Sequence, residues 1–131
     1  MKHKVYITWE QVDTLVTILK HKILDKLPEI GSVMGIARGG LIPAVMLSHK
    51  LGVPYTNLID PNTLVVDDIC DSGVTIKEAP GLYTATLHYK SSAIVKPSVY
   101  ASLLLNENQW IVYPWENEDS NTIQGYLDKQ E

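Results

Sequence analysis

The stretch Leu64-Val65-Val66-Asp67-Asp68-Ile69-Cys70-Asp71-Ser72-Gly73-Val74-Thr75 decides how the chain is read. From Thr63 to Val66 the residues are apolar or β-branched without interruption, which predicts a strand buried on both faces, as in a parallel sheet, ending at Asp67-Asp68. Ser72, Gly73, Val74 and Thr75 then offer successive backbone N–H groups and two hydroxyls where a helix begins, a place whose partial positive charge favours a phosphate. Two carboxylates at the strand end are acceptors for a vicinal diol or for a hydrated cation. Such a combination suits a phosphorylated sugar, with Asp71 between the two groups and within reach of the sugar's reacting carbon.

Outward from this segment the chain alternates strand and helix patterns. Upstream, Val12, Leu15, Val16, Ile18, Leu19, Ile23, Leu24 and Leu27 recur at helical spacing, which predicts an amphipathic helix over Thr8 to Lys26. Thr8 followed three residues later by Gln11 reads as its capping box, and Pro28 lies beyond its end. Ser32 to Ala37 is a short apolar run closed by Arg38-Gly39-Gly40, and a second helical pattern runs from Leu41 to Leu51 and stops at Gly52. Strand, glycine turn and helix make half of a βαβ unit. Val53-Pro54-Tyr55 starts a brief extended piece. Downstream, a short helix through Ile76 and Glu78 must end near Pro80, and Tyr83 to His88 and Trp110 to Tyr113 are further strand candidates. The segment from Glu116 to Glu131 is polar and weakly patterned. The expected architecture is α/β: a single domain over residues 1–131 built on a parallel sheet flanked by helices. In such sheets ligands sit beyond the carboxyl ends of the strands, where three unusual loops fall: Arg38-Gly39-Gly40, Asp67 to Thr75, and Lys90 with its serines.

Composition excludes several classes. With 131 residues, 45% of them apolar and 20% charged, the chain can bury a core without staples. A net charge of -4 with scattered basic residues argues against a nucleic-acid partner. The single cysteine, Cys70, rules out an internal disulfide, the polar start MKHKVYITWE does not resemble a signal peptide, and no apolar run is long enough to cross a membrane. A cytoplasmic location is expected. His3, His21, His49 and His88 show no metal-ligand spacing, and nothing basic adjoins Cys70 to activate its thiol.

VVDDICDSGVT resembles the binding motif for 5-phosphoribosyl-1-pyrophosphate (PRPP) in the type I phosphoribosyltransferases: a hydrophobic strand, two acidic residues, then Asp-Ser/Thr-Gly-x-Thr. The resemblance implies that Asp67 and Asp68 bind the ribose hydroxyls and magnesium, directly or through water. It implies that Asp71 lies near the base and supports proton transfer, and that Asp71, Ser72, Gly73, Val74 and Thr75 hold the 5′-phosphate. Gly35-Ile36-Ala37-Arg38-Gly39-Gly40-Leu41-Ile42-Pro43-Ala44 is similar to the pyrophosphate loop of the bacterial xanthine-guanine branch, which places Arg38, Gly39 and Gly40 against the diphosphate. Leu87-His88-Tyr89-Lys90 and Trp110-Ile111-Val112-Tyr113-Pro114-Trp115-Glu116 resemble that branch's base-binding elements. There Lys90 would donate to the purine 6-oxo group, Trp110 would stack on the ring, and Ile111 would read exocyclic groups through its backbone.

The implied activity is transfer of phosphoribosyl from PRPP to guanine, xanthine or hypoxanthine by a homo-oligomeric enzyme with no nucleic-acid or membrane partner. One departure is large. Family enzymes carry a long mobile loop before the PRPP motif that closes over the reaction centre, whereas only residues 56–62 separate Tyr55 from Thr63 here. A non-catalytic PRPP- or nucleotide-binding regulatory protein of the same fold therefore stands as the alternative. A phospho-acceptor role for Asp67 or Asp68 would leave the turn that follows them without a purpose.

Overall fold

In chain order, the computed structural model forms β1 (His3–Tyr6), α1 (Trp9–Lys26), β2 (Ser32–Gly35), α2 (Leu41–Leu51), β3 (Thr63–Cys70), α3 (Val74–Glu78), β4 (Tyr83–Lys90), β5 (Val99–Leu104) and β6 (Gln109–Val112). It describes residues 3–117; the polar segment 118–131 lies outside them. Thr8 caps α1 as its spacing to Gln11 requires, its Oγ1 accepting from Gln11 N at 3.1 Å while its own N–H donates to Gln11 Oε1 at 2.8 Å. The buried seam of α1 is Val12, Val16, Leu19 and Ile23. Ile18 and Leu24 share the helical spacing but fall outside that stripe and face solvent. Gly52, at φ +69°, ends α2 in the left-handed conformation, as a helix C-terminus commonly does.

β2, β3, β4 and β5 form one parallel sheet in that order. β3 is central and buried along nearly its whole length, as its uninterrupted apolar start predicts. Leu64, Val65 and Val66 are fully buried there, each contributing roughly 1.5–3 kcal/mol by leaving water. α1 and α2 pack against this sheet and each other, so Val12, Val16, Leu19, Ala44 and Leu47 share one core with Leu64, Val66, Ala85 and Leu87.

The parallel sheet and its flanking helices are as expected, and the structure adds to or corrects the reading in four details. Beside the parallel sheet the described residues form a two-stranded ribbon, in which β6 pairs in parallel with β1 (Lys4 opposite Trp110, Tyr6 opposite Val112). β3 does not stop at Asp67-Asp68 but runs on to Cys70, held by register with β4 (Asp67 opposite Thr86, Ile69 opposite His88). Val53-Pro54-Tyr55 contributes only a bridge between Tyr55 and Val33. β5 follows β4 in parallel through residues 91–98, which contain no helix, so the strand–helix alternation ends after α3.

The short connection 56–62 is tied down by a backbone bond to β2 and by the side chains of Thr56, Asp60 and Thr63. Thr56 N–H donates to Val33 O at 2.9 Å, Leu58 N–H to Thr56 Oγ1 at 3.0 Å, Asp60 N–H to Thr63 Oγ1 at 3.0 Å, and Asn62 N–H to Asp60 Oδ1 at 2.7 Å. It enters β3 at Thr63, so the eight residues of that strand, about 25 Å at the usual rise, separate it from the segment 71–75.

Candidate active site

At the far end of β3, Asp67 and Asp68 are 8% and 3% exposed, buried members of a central strand. Asp67 Oδ1 accepts from Asp68 N at 2.8 Å and Asp68 Oδ1 from Ile69 N at 2.8 Å. The loop after β2 lies directly behind them: a Cβ on Gly39 would collide with the Asp68 carboxylate, and one on Gly40 with the Val66 carbonyl. These glycines are thus required by the approach of their own loop to β3. Burial pushes both carboxyls above their ordinary range, and at Asp67 repulsion from Asp68 adds to the rise.

A carboxyl raised on folding contributes stability that is present below the unfolded pKa, about 3.9, and is lost as pH rises through the folded value. Asp67→Asn keeps the oxygen that accepts from Asp68 N and removes the buried charge. The variant is expected to melt a few °C higher than wild type at pH 7, with the gain fading towards pH 3–4. Thermal melts across that range check this, and an equal or lower Tm at pH 7 counts against it.

The turn 71–75 leaves β3 directly. Gly73 sits at φ +92°, and a Cβ there would lie 2.9 Å from both Ile94 N and Val95 N. The segment 91–98 braces this turn: Ile94 N–H donates to Ser72 O at 2.8 Å, and Cys70 Sγ to Val95 O at 3.4 Å. Val74 N–H turns back to Ser72 Oγ at 3.3 Å. The first turn of α3 leaves amides without helical partners, as every helix start does. Burial, with the charges of Asp67 and Asp71 adding to it, pushes the Cys70 thiol up to about 11, which fits an inert thiol.

Opposite lie the residues expected to meet a base. Lys90, only 4% exposed, places Nζ 3.1 Å from Oδ1 of the half-exposed Asp71. A cleft of about 400 Å³ is lined by Asp67 through Ile76, Lys90, Trp110, Ile111, Tyr113 and Glu116. The expected sugar, phosphate and base residues are therefore brought together. Arg38, Gly39 and Gly40 do not line the cleft; they stand behind Asp68, with Arg38 close enough to Glu116 to oppose the rise that burial causes in that carboxyl.

Sequence reading missed three contributors. Tyr113 is buried, its hydroxyl donating to Asp68 O at 3.0 Å and lying 2.7 Å from His88 Nδ1. Glu116 caps Tyr113, its Oε1 accepting from Tyr113 N at 2.9 Å. His88 is buried and held neutral, burial lowering its pKa to about 4. One signal was present: Thr86, His88 and Lys90 alternate along β4 on one face, a polar stripe in an otherwise apolar strand.

No family model matches the chain. The crystal structure of purine phosphoribosyltransferase from Pyrococcus horikoshii superposes with a TM-score of 0.72 at 33% identity, over 87% of this chain and 95% of that one. The chain belongs to the type I phosphoribosyltransferases. Within that family it falls in the bacterial xanthine-guanine branch. Xanthine-guanine phosphoribosyltransferase of Nitratidesulfovibrio vulgaris strain Hildenborough is 26% identical over 140 residues, covering 86% of this chain and 84% of that relative. The fold also recurs in a hypothetical protein from Neisseria gonorrhoeae solved with bound ppGpp, with a TM-score of 0.70 and 24% identity over 98% and 94% of the two chains. This phosphoribosyltransferase fold thus places the VVDDICDSGVT segment at the carboxyl end of the central strand of a parallel sheet, where such folds hold ligands.

Proposed function

We propose that the chain transfers the 5-phosphoribosyl group of PRPP to a 6-oxopurine, giving a nucleoside monophosphate and pyrophosphate. The observation that carries this reading is the buried Lys90 paired with Asp71 in the cleft that also holds Trp110, Asp67, Asp68 and the turn 71–75. Asp67 and Asp68 accept from the ribose hydroxyls, and the turn receives the 5′-phosphate. Lys90, oriented by Asp71, donates to the 6-oxo oxygen while Trp110 supplies a stacking face, and Asp71 takes part in proton transfer at the base. Arg38, outside the cleft lining but close enough to Glu116 to act on its charge, is assigned to the departing diphosphate. Reaction at an oxocarbenium-like carbon asks mainly for positioning and neutralisation of charge.

The family implies magnesium. Among the described residues no group of three or more His, Cys, Asp or Glu is arranged to hold a metal ion. Two adjacent carboxylates with raised proton affinity nevertheless fit an ion that uses one or two carboxylates, keeps waters and completes its shell with phosphate oxygens. Asp67 and Asp68 would hold it, and when bound it would offset the charge of the diphosphate.

Turnover with PRPP, magnesium and a panel of bases tests the reaction. Lys90→Ala is expected to weaken GMP binding by about 1.5–3 kcal/mol, the worth of a hydrogen bond to a charged group, and to erase the preference for GMP over AMP. If calorimetry shows that preference untouched, Lys90 does not read the 6-oxo position. A second reading, nucleotide binding without turnover in a regulatory protein, is favoured by the position of residues 56–62 at the opposite end of β3 from the cleft. Tight GMP binding with no detectable transfer would select it.

A further inference from the structure

Tyr113 follows directly on β6 and reaches from the two-stranded sheet to the four-stranded one. Its hydroxyl carries one proton, and the Asp68 carbonyl at 3.0 Å can only accept. The Tyr113 proton therefore goes to Asp68, and His88 Nδ1, 2.7 Å away, must itself be the donor. In the neutral imidazole the single proton then sits on Nδ1. At its other end Tyr113 is fixed equally well: its N–H and carbonyl both bond to Glu116, at 2.9 and 3.0 Å, and its ring stacks on Trp115 with centroids 4.8 Å apart and planes 1° from parallel.

Among the described residues no strand pairing joins the two sheets. Their spacing rests on this hydrogen-bonded chain together with the apolar packing of Val5, Ile7, Ile111, Tyr113 and Trp115 on the common core. One end of the chain is β6, which carries Trp110 and Ile111; the other is the backbone of the acidic pair. We propose that Tyr113 and His88 are positioning residues that set the distance between the purine side and the ribose side of the cleft. Neither side chain is asked to touch the reacting atoms. The proposal rests on the function proposed above.

The test compares two probes: GMP, which spans both sides, and ribose 5-phosphate, which engages only the sugar and phosphate side. Tyr113→Phe should weaken GMP binding roughly tenfold, the loss of one buried hydrogen bond's worth of alignment, and leave ribose 5-phosphate within about twofold. His88→Leu should do the same, and His88→Asn, whose amide retains a donor near Nδ1, should restore most of the GMP affinity. Nitrogen NMR should find the His88 proton on Nδ1 in wild type and no longer fixed there in Tyr113→Phe. If Tyr113→Phe does not fold, the His88 pair makes the same comparison. Equal losses for both probes, or unchanged GMP binding in the variants, overturn the positioning role alone. Wild-type protein that binds ribose 5-phosphate but not GMP overturns the purine reading and this role with it.

Discussion

Gly73→Val is expected to abolish binding of nucleoside 5′-monophosphates while leaving the protein folded. Gly73 holds φ +92°, a conformation that costs a β-branched residue about 1–3 kcal/mol. The added Cβ would also press on Ile94 N and Val95 N at 2.9 Å, and these are backbone atoms of the segment that braces the turn, so they cannot swing aside as a flexible side chain would. Relief comes by moving the turn, which displaces the amides and hydroxyls of Ser72, Val74 and Thr75. Combined strain and misplacement of about 3 kcal/mol or more corresponds to at least a hundredfold loss of affinity, and stays below the stability of an ordinary domain. Calorimetry with GMP, beside circular dichroism, measures both halves. Unchanged affinity in a folded variant would remove the turn 71–75 from the phosphate site.

Transfer by the wild-type protein is expected to be slow and to release more pyrophosphate than it forms nucleotide. An electrophilic ribosyl centre reacts with water unless a cover excludes it, and lid closure commonly completes such sites. Residues 56–62, which stand where the family's long loop would be, are pinned at the amino end of β3 by Thr56, Asp60 and Thr63. They cannot reach a cleft at the other end of that strand. Binding should survive, because Asp67, Asp68, Asp71 and Lys90 stand together without the loop. The measurements are the transfer rate and the ratio of nucleotide formed to pyrophosphate released. A fast rate with a ratio near unity in the isolated monomer would refute the open-site argument, and a fast rate confined to an oligomer would point to cover from a second subunit.

What the sequence shows and what it hides divide along the range of the interactions. The Thr8–Gln11 box, the Gly52 stop and the end of α3 before Pro80 depend on neighbours three or four residues away, and all three are present. β1 and β5 went unread because their partners are distant or unexpected. His-Lys-Val-Tyr is too short and polar to announce a strand until β6 is beside it, and Val99–Leu104 pairs in parallel with β4 across a link that has no helix. Acidic residues have low β propensity, so the pattern ended β3 at Asp67, while register with β4 carries it on to Cys70. The grouping of Asp67, Asp68, Asp71 and residues 72–75 was legible because one continuous segment supplies it. The links of Lys90 to Asp71 and of Tyr113 to His88 were not, since strand order alone brings them together.

That β3 continues through the acidic pair bears on how fast a ligand can arrive. Asp67 and Ile69 are in register with β4 on either side of Asp68, both carboxylates accept from neighbouring backbone N–H groups, and the turn 71–75 starts where that strand stops. Their conformational entropy is given up once, during folding, and not again at each encounter. A nucleotide entering the cleft meets acceptors and amides already in place. Association should accordingly follow a single concentration-dependent phase, set by diffusion and orientation, with no slower step for a segment that must first become ordered.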